Sequence, residues 1–283
     1  RATLYCLEIN FMSLAAKLRE QIASSTMVVA PGSYDCISAR MIERAGFSSV
    51  YVSGGCSAIM LGFPDYGLVT ATEMIENAGR IVNSVSVPVI ADADTGYGNE
   101  LNVTRTVRDF EQKGVAAIHI EDQTFPKKCG HLSGKEVLSI EHFSNKIRAA
   151  AAARRNKDTV IIARTDARAT LGFEEAVRRM NAALDAGADV AFLEAPQTRE
   201  ETAQAPRLIH GPCLLNVVRG GKSPLLDLRE VEQMGYRIAI LPVVLLMQAI
   251  CSFEEILNEL RDSRVHPNTK ITVIEMFQRM GSG

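Results

Sequence analysis

Short apolar runs rich in valine, isoleucine and alanine recur at 27–30, 49–53, 88–92, 116–121, 160–164, 190–194, 214–218 and 237–242. Each is nearly continuously hydrophobic rather than alternating, as parallel strands are when both faces are covered. Between them, residues 73–82, 101–113, 140–155, 173–186 and 252–261 repeat their apolar positions with helical period. Thr70 ahead of Glu73, and Ser139 ahead of residue 140, are suited to cap two of these helices. Gly114, Gly187 and Gly235 fall just before strands four, six and eight, where helix-to-strand loops need a left-handed residue. Eight β/α units in sequence predict an α/β fold, a (β/α)8 TIM barrel, with one extra helix at 13–24. A doubly wound open sheet is the alternative, but no Gly-x-Gly-x-x-Gly follows the first strand.

The 283 residues suffice to bury about 75% of the unfolded surface without staples. One catalytic domain over 13–275 is expected, with 1–12 and 276–283 as flexible or appended ends. Met12 reads as a natural start and the closing Gly-Ser-Gly as a linker scar. A net charge of −2 offers no basic face for nucleic acid. No apolar run reaches the roughly 18 residues that a membrane helix needs. The first ten residues are too short and mixed for a signal peptide. A cytoplasmic location is expected, or a mitochondrial one after removal of a transit peptide. Cys6, Cys36, Cys56, Cys129, Cys213 and Cys251 are scattered, with no Cys-x-x-Cys pair, so neither a disulfide framework nor a zinc finger is indicated.

Chemistry in such a barrel gathers where strands end. Asp92 and Asp94, two residues apart on strand three, are expected to point together into the mouth. With Glu121 on the next strand they offer hard oxygen ligands suited to Mg2+ or Mn2+. Read alone, Asp94 and Asp122 would equally serve as loop caps. The segment 126–135 places Cys129 beside Lys127, Lys128 and His131, a positive field that favours thiolate, with glycines that allow closure over a substrate. The other five cysteines, lying in or beside apolar runs, suit packing. Arg164 is a planar fork for a carboxylate or for an ion pair with Glu194. Ser53, Gly54 and Gly55 offer hydroxyl and amide groups to an oxyanion. His119 suits a satisfied core position.

Together these residues resemble the isocitrate lyase/phosphoenolpyruvate mutase superfamily. The resemblance rests on Tyr-Val-Ser-Gly-Gly at 51–55, Pro64-Asp65, Ala-Asp-Ala-Asp-Thr-Gly-Tyr-Gly at 91–98, His-Ile-Glu-Asp-Gln at 119–123 and Lys-Lys-Cys-Gly-His at 127–131. Ala-Arg-Thr-Asp at 163–166, Phe-Leu-Glu at 192–194, Asn216 and Gly-Lys-Ser-Pro at 221–224 extend it, so that it spans about 13–260.

The resemblance implies a dimer or tetramer that exchanges C-terminal helices, and Mg2+ around Asp92, Asp94 and Glu121. It places Asp65, Arg164, Glu194 and Asn216 in the metal shell or on substrate carboxylates. Tyr51, Ser53, Gly54, Gly55, Gly130 and His131 belong to the matched substrate-binding segments. Cys129 matches the proton-transferring cysteine of the lyase branch, with Lys128, Arg164, Glu121 and His131 as its catalytic neighbours. The implied activity is Mg2+-dependent cleavage of a 2-hydroxy di- or tricarboxylate, a small-molecule carboxylate substrate, into a 2-oxo acid and a second carboxylic acid.

Within the superfamily, the loop sequence resembles the dimethylmalate lyase and oxaloacetate acetylhydrolase branches. Pro242 matches the dimethylmalate and methylisocitrate lyases. Hydrolysis of oxaloacetate to oxalate and acetate is the alternative; phosphonomutase chemistry is disfavoured by Cys129. One departure stands out: Arg219 replaces the glutamate the family commonly carries three residues after Asn216. That reversal leaves a non-enzymatic binding barrel as a further alternative.

Overall fold

A computed structural model describes residues 12–128, 130 and 134–281. Helix α1 (Leu14–Ala23) precedes strand β1 (Val28–Ser33), α2 (Cys36–Arg44), β2 (Val50–Val52), α3 (Gly54–Met60) and α4 (Ala71–Val82). Strand β3 (Val89–Asp92), α5 (Glu100–Gln112), β4 (Ala117–Glu121), α6 (Ile140–Ala153) and β5 (Val160–Thr165) follow. After them come α7 (Arg168–Leu171), α8 (Phe173–Asp185), β6 (Val190–Leu193), α9 (Arg199–Leu208), β7 (Cys213–Asn216) and α10 (Leu228–Gln233). The chain continues through β8 (Ile238–Leu241), α11 (Val244–Ser263) and α12 (Val273–Arg279). All neighbouring strands pair in parallel, and β1 pairs with β8, so the sheet closes into a (β/α)8 barrel.

The expected caps form. Thr70 and Glu73 make a reciprocal capping box at α4, and the Ser139 hydroxyl accepts from the His142 amide at 3.2 Å. Gly114 and Gly187 take φ of 81° and 107°, the left-handed turns predicted for them. Two corrections concern the helices. The last barrel helix runs from Val244 rather than 252, because the apolar stretch at 238–250 is divided between β8 and α11 at Pro242 and Val243. Helices α2, α3, α9 and α10 are too short or too polar to stand out by period.

Alternation along the strands sorts side chains into two apolar layers. Ala91, Ile118, Ile120, Ile161, Ala163 and Leu215 face outward and pack under the helices. Val28, Ala30, Ile90, Ala117, Ile162, Phe192, Leu214 and Ile240 face inward and fill the lower barrel. Ala15, Leu18 and Ile22 of α1 join this inner cluster and close the bottom. The barrel is therefore a packed core below and an open mouth above, and every step of two residues up a strand stays on the inward face.

Candidate active site

Parity along the strands decides which residues meet in the mouth. Ile90 faces inward, so Asp92 does; Ala117 does, so His119 and Glu121 follow; Ile162 leads to Arg164, Phe192 to Glu194 and Leu214 to Asn216. Tyr51, also inward, leads to Ser53. Of these, Tyr51, Ser53, Asp92, Arg164, Glu194 and Asn216 line a cavity of about 80 Å3 together with Asp65, Lys127, Gly130 and Pro242. At ~10–15 Å3 per water-sized group, that is room for roughly half a dozen such groups, the scale of a small carboxylate.

The cavity floor is a buried hydrogen-bonded stack. The Tyr51 hydroxyl lies 2.8 Å from His119 Nε2, which in turn lies 3.4 Å from Asp92 Oδ1. Burial pushes His119 down to about 4, keeping the imidazole neutral at physiological pH. Asp92 Oδ1 accepts from the Asp94 amide at 2.9 Å and Oδ2 from the Gly54 amide at 3.2 Å. A Cβ at Gly54 would stand 2.5 Å from that carboxylate oxygen, so only glycine lets the start of α3 approach Asp92. Burial raises Asp92, but His119, Lys127 and Arg164 outweigh it and hold the carboxyl below its ordinary value.

Asp94 reaches the site by another route than expected. It lies beyond β3 with φ of 46°, so strand alternation does not orient it. Lys127 Nζ instead binds it at 2.7 Å and Asp65 at 2.6 Å, placing one ammonium between two carboxylates. Burial still pushes Asp94 up to about 6, against the pull of Lys127. Glu121 is pushed well above its usual range by burial, partly offset by Arg164, and its Oε1 has no donor among the described residues.

A second layer orients the cations. Arg164 Nε bonds Asp166 at 3.0 Å and approaches Glu121 at 3.3 Å, while its guanidinium lies 5.2 Å from the centre of the Phe192 ring. Its charge partners are Asp166 and Glu121, with Glu194 adding to the field that raises the guanidinium. Asp166 also takes Lys135 at 2.6 Å; burial would raise this carboxyl, but Arg164 and Lys135 hold it down at about 2. Asp122 accepts from Thr165, the Asp166 amide and Arg179, so its role is structural. Asn216 Nδ2 donates to Glu194 at 3.3 Å.

Lys128 requires a correction. Its ammonium donates to the Gly134 carbonyl at 2.9 Å, and its amide is held by Gln123, so Lys127 is the lysine that enters the mouth. Gly130 sits against Arg164 and Glu194, where a Cβ would come within 2.5–2.7 Å of both. Gly55 backs Asp65 in the same way at 3.1 Å. Cys129 and His131 lie outside the described residues. Arg219 is exposed and lines a different, apolar cavity beside Met247 and Cys251 that shares Val243 with the mouth and has no carboxylate in its lining. Of the cysteines expected to pack, Cys56 and Cys213 are buried, Cys36 is half-buried and Cys251 is exposed.

Sequence reasoning missed Lys127, Lys135 and Asp166, whose signal is burial of charge, and it underrated His119. Among the described residues, no three His, Cys, Asp or Glu side chains close into a ready metal cage. The donor set nevertheless suits Mg2+, which keeps several waters and needs only one or two carboxylates from the protein. Carboxylates of Asp65, Asp92 and Glu194 line the mouth beside Lys127 and Arg164, and the buried Glu121 Oε1, without a donor among the described residues, and the raised Asp94 would be relieved by a cation.

Three comparisons place this geometry. The phosphoenolpyruvate phosphomutase family model matches residues 18–261. The 2,3-dimethylmalate lyase of Eubacterium barkeri is 46% identical, over 95% of both chains. The 2-methylisocitrate lyase of Aeropyrum pernix is 44% identical, over 87% of this chain and 79% of the relative. A structure of oxaloacetate acetylhydrolase with 3,3-difluorooxalacetate superposes with a TM-score of 0.92 at 42% identity, covering 95% of this chain and 93% of that one. The fold and site define an enzyme built on a (β/α)8 barrel. The chain belongs to the phosphoenolpyruvate mutase/isocitrate lyase superfamily.

Proposed function

We propose that the chain is a carbon–carbon lyase that cleaves a dimethylmalate- or methylisocitrate-like 2-hydroxy carboxylate into a 2-oxo acid and a second carboxylic acid. The observation that carries this reading is the inward set of Asp92, Arg164, Glu194 and Asn216 around a cavity of small-carboxylate size. The named lyases among the relatives support the bond class. Asp92, Asp94 and Glu121, with Asp65 behind Lys127, would hold Mg2+. When bound, that ion supplies Lewis-acid polarisation of the 2-hydroxyl and its adjacent carboxylate.

This chain's own groups do the rest. Arg164, fixed by Asp166 and stacked on Phe192, presents its remaining guanidinium face to a substrate carboxylate. The Ser53 hydroxyl and the Gly55 amide, both at the cavity, stabilise negative charge developing in the mouth. The hydroxyl proton passes to solvent, the C–C bond breaks with its electron pair kept by the departing acid as an enolate, and the Cys129 thiol protonates that carbon, the thiolate then taking a proton back from solvent. Lys127 neutralises Asp65 and Asp94 beside the reacting groups. Pro242 lines the same cavity and gives the substrate alkyl group an apolar neighbour.

Cleavage of oxaloacetate to oxalate and acetate is the second reading, favoured by the acetylhydrolase likeness. With Mg2+ present, release of 2-oxo acid from 2-methylmalate-type acids, but not of oxalate from oxaloacetate, distinguishes them. Phosphoenolpyruvate left unchanged by 31P NMR argues against mutase activity.

The chain assembles as a homodimer or homotetramer. Helices α11 and α12 expose Phe253, Leu257, Ile274 and Phe277, an apolar surface suited to exchange between subunits. A monomer by light scattering would contradict it. No helix among the described residues is long and apolar enough to cross a membrane.

A further inference from the structure

Outside the barrel mouth, a cavity of about 380 Å3 opens where the N-terminal ends of α5 and α6 meet the segment that follows β4. Asn99, Glu100, Gln123, Phe125, His142 and Lys146 line it. Lys146 is the unusual member. The residue is only 5% exposed, yet among the described residues no carboxylate or carbonyl pairs with its ammonium. A lysine this buried normally has an anionic partner, because desolvating an unpaired ammonium is costly. Burial accordingly pulls Lys146 below its ordinary value, with Glu100 and more distant carboxylates only partly offsetting that.

Two helix ends add to the field. Helices α5 and α6 run 13 and 14 residues, and the positive ends of both dipoles converge on this cavity. Glu100 lines it too, without reaching the Lys146 ammonium. A ligand matching both groups carries an oxyanion for Lys146 and a hydroxyl to donate to Glu100.

We propose that this cavity is a second ligand site, separate from the carboxylate mouth, for a small oxyanion bearing a hydroxyl: a 2-hydroxycarboxylate or protonated phosphate. Such a ligand touches the stem of the active-site loop. Gln123 lines the cavity and also holds the Lys128 backbone from both sides, at 2.8 and 3.0 Å. The Gln123–Val137 bridge ties the two ends of that loop together. Occupancy is thus placed to bias the segment that delivers Lys127 to Asp65 and Asp94.

The test uses calorimetry on Asp92→Ala protein, which weakens binding in the mouth, with lactate in one arm and inorganic phosphate in the other. Saturable millimolar binding is expected in at least one arm, and the arm that binds identifies the ligand class. Adding Lys146→Met, which keeps the apolar stem, should weaken that binding at least tenfold while leaving the melting curve cooperative. Absence of binding in both arms, or equal affinity with and without Lys146, overturns the proposal. Should the Lys146 variant fail to fold, wild-type crystals soaked in arsenate, which like phosphate keeps a hydroxyl, decide. An anomalous peak between Lys146 and Glu100 is expected, and its absence there overturns the site.

Discussion

The two ends of the barrel are built from the same strands and obey opposite rules. At the bottom, Val28, Ile90, Ile162 and Ile238 point inward and meet only apolar neighbours, sealed by Leu18 of α1. Two residues further up, the same inward face carries Asp92 and Arg164, buried almost as completely. The lower layer is stabilised by removing hydrocarbon from water. The upper layer keeps charges that cost desolvation and are held by pairing. Fold stability thus belongs to the lower half and chemistry to the upper, and substitutions should separate cleanly along that line.

The largest effect is expected at the mouth. Asp92→Ala should reduce turnover by at least about 10^4-fold, since several kcal/mol of charge stabilisation are lost at about 1.4 kcal/mol per decade, while the melting temperature changes little. Steady-state assays with and without EDTA check it. Cys129→Ser should slow cleavage by roughly 10^2- to 10^3-fold with the substrate still bound, the scale of a lost proton donor; equilibrium binding beside turnover separates the two.

Leu18→Ala inverts the pattern. It should lose about 2–5 kcal/mol in urea unfolding while leaving kcat within about twofold. His119 lies at the boundary between the halves. Its folded value of about 4 lies below the ordinary 6.5, so the native state binds fewer protons and loses stability as pH falls from 6.5 towards 4. The metal-free protein should lose up to about 3 kcal/mol over that range, and His119→Gln should flatten the slope. The smallest effect is expected at Arg219: exposed and outside the lining of the mouth, Arg219→Glu should change kcat/KM less than about twofold.

The same division explains what could be read in advance. Strands and the inward column were legible because a covered strand needs continuous hydrophobicity, and a polar residue at its end interrupts that run visibly. Asp92, Glu121, Arg164, Glu194 and Asn216 were found this way. Asp94 was found for an incorrect reason: the chain leaves β3 and turns left-handed there, which periodicity does not encode. Lys127 and Lys128 are adjacent and chemically identical, so only the path of the loop decides which one enters the mouth. Asp166 and Lys135 became visible only once burial showed two charges that each need a partner.

The central claim is Mg2+-dependent C–C cleavage in the barrel mouth. It is tested most directly by following 2-oxo acid release from 2,3-dimethylmalate and 2-methylisocitrate with wild-type and Asp92→Ala protein, with Mg2+ and with EDTA. Release by wild type with Mg2+ alone is expected. Equal release in EDTA or from Asp92→Ala, or none from either acid in any condition, would contradict the assignment.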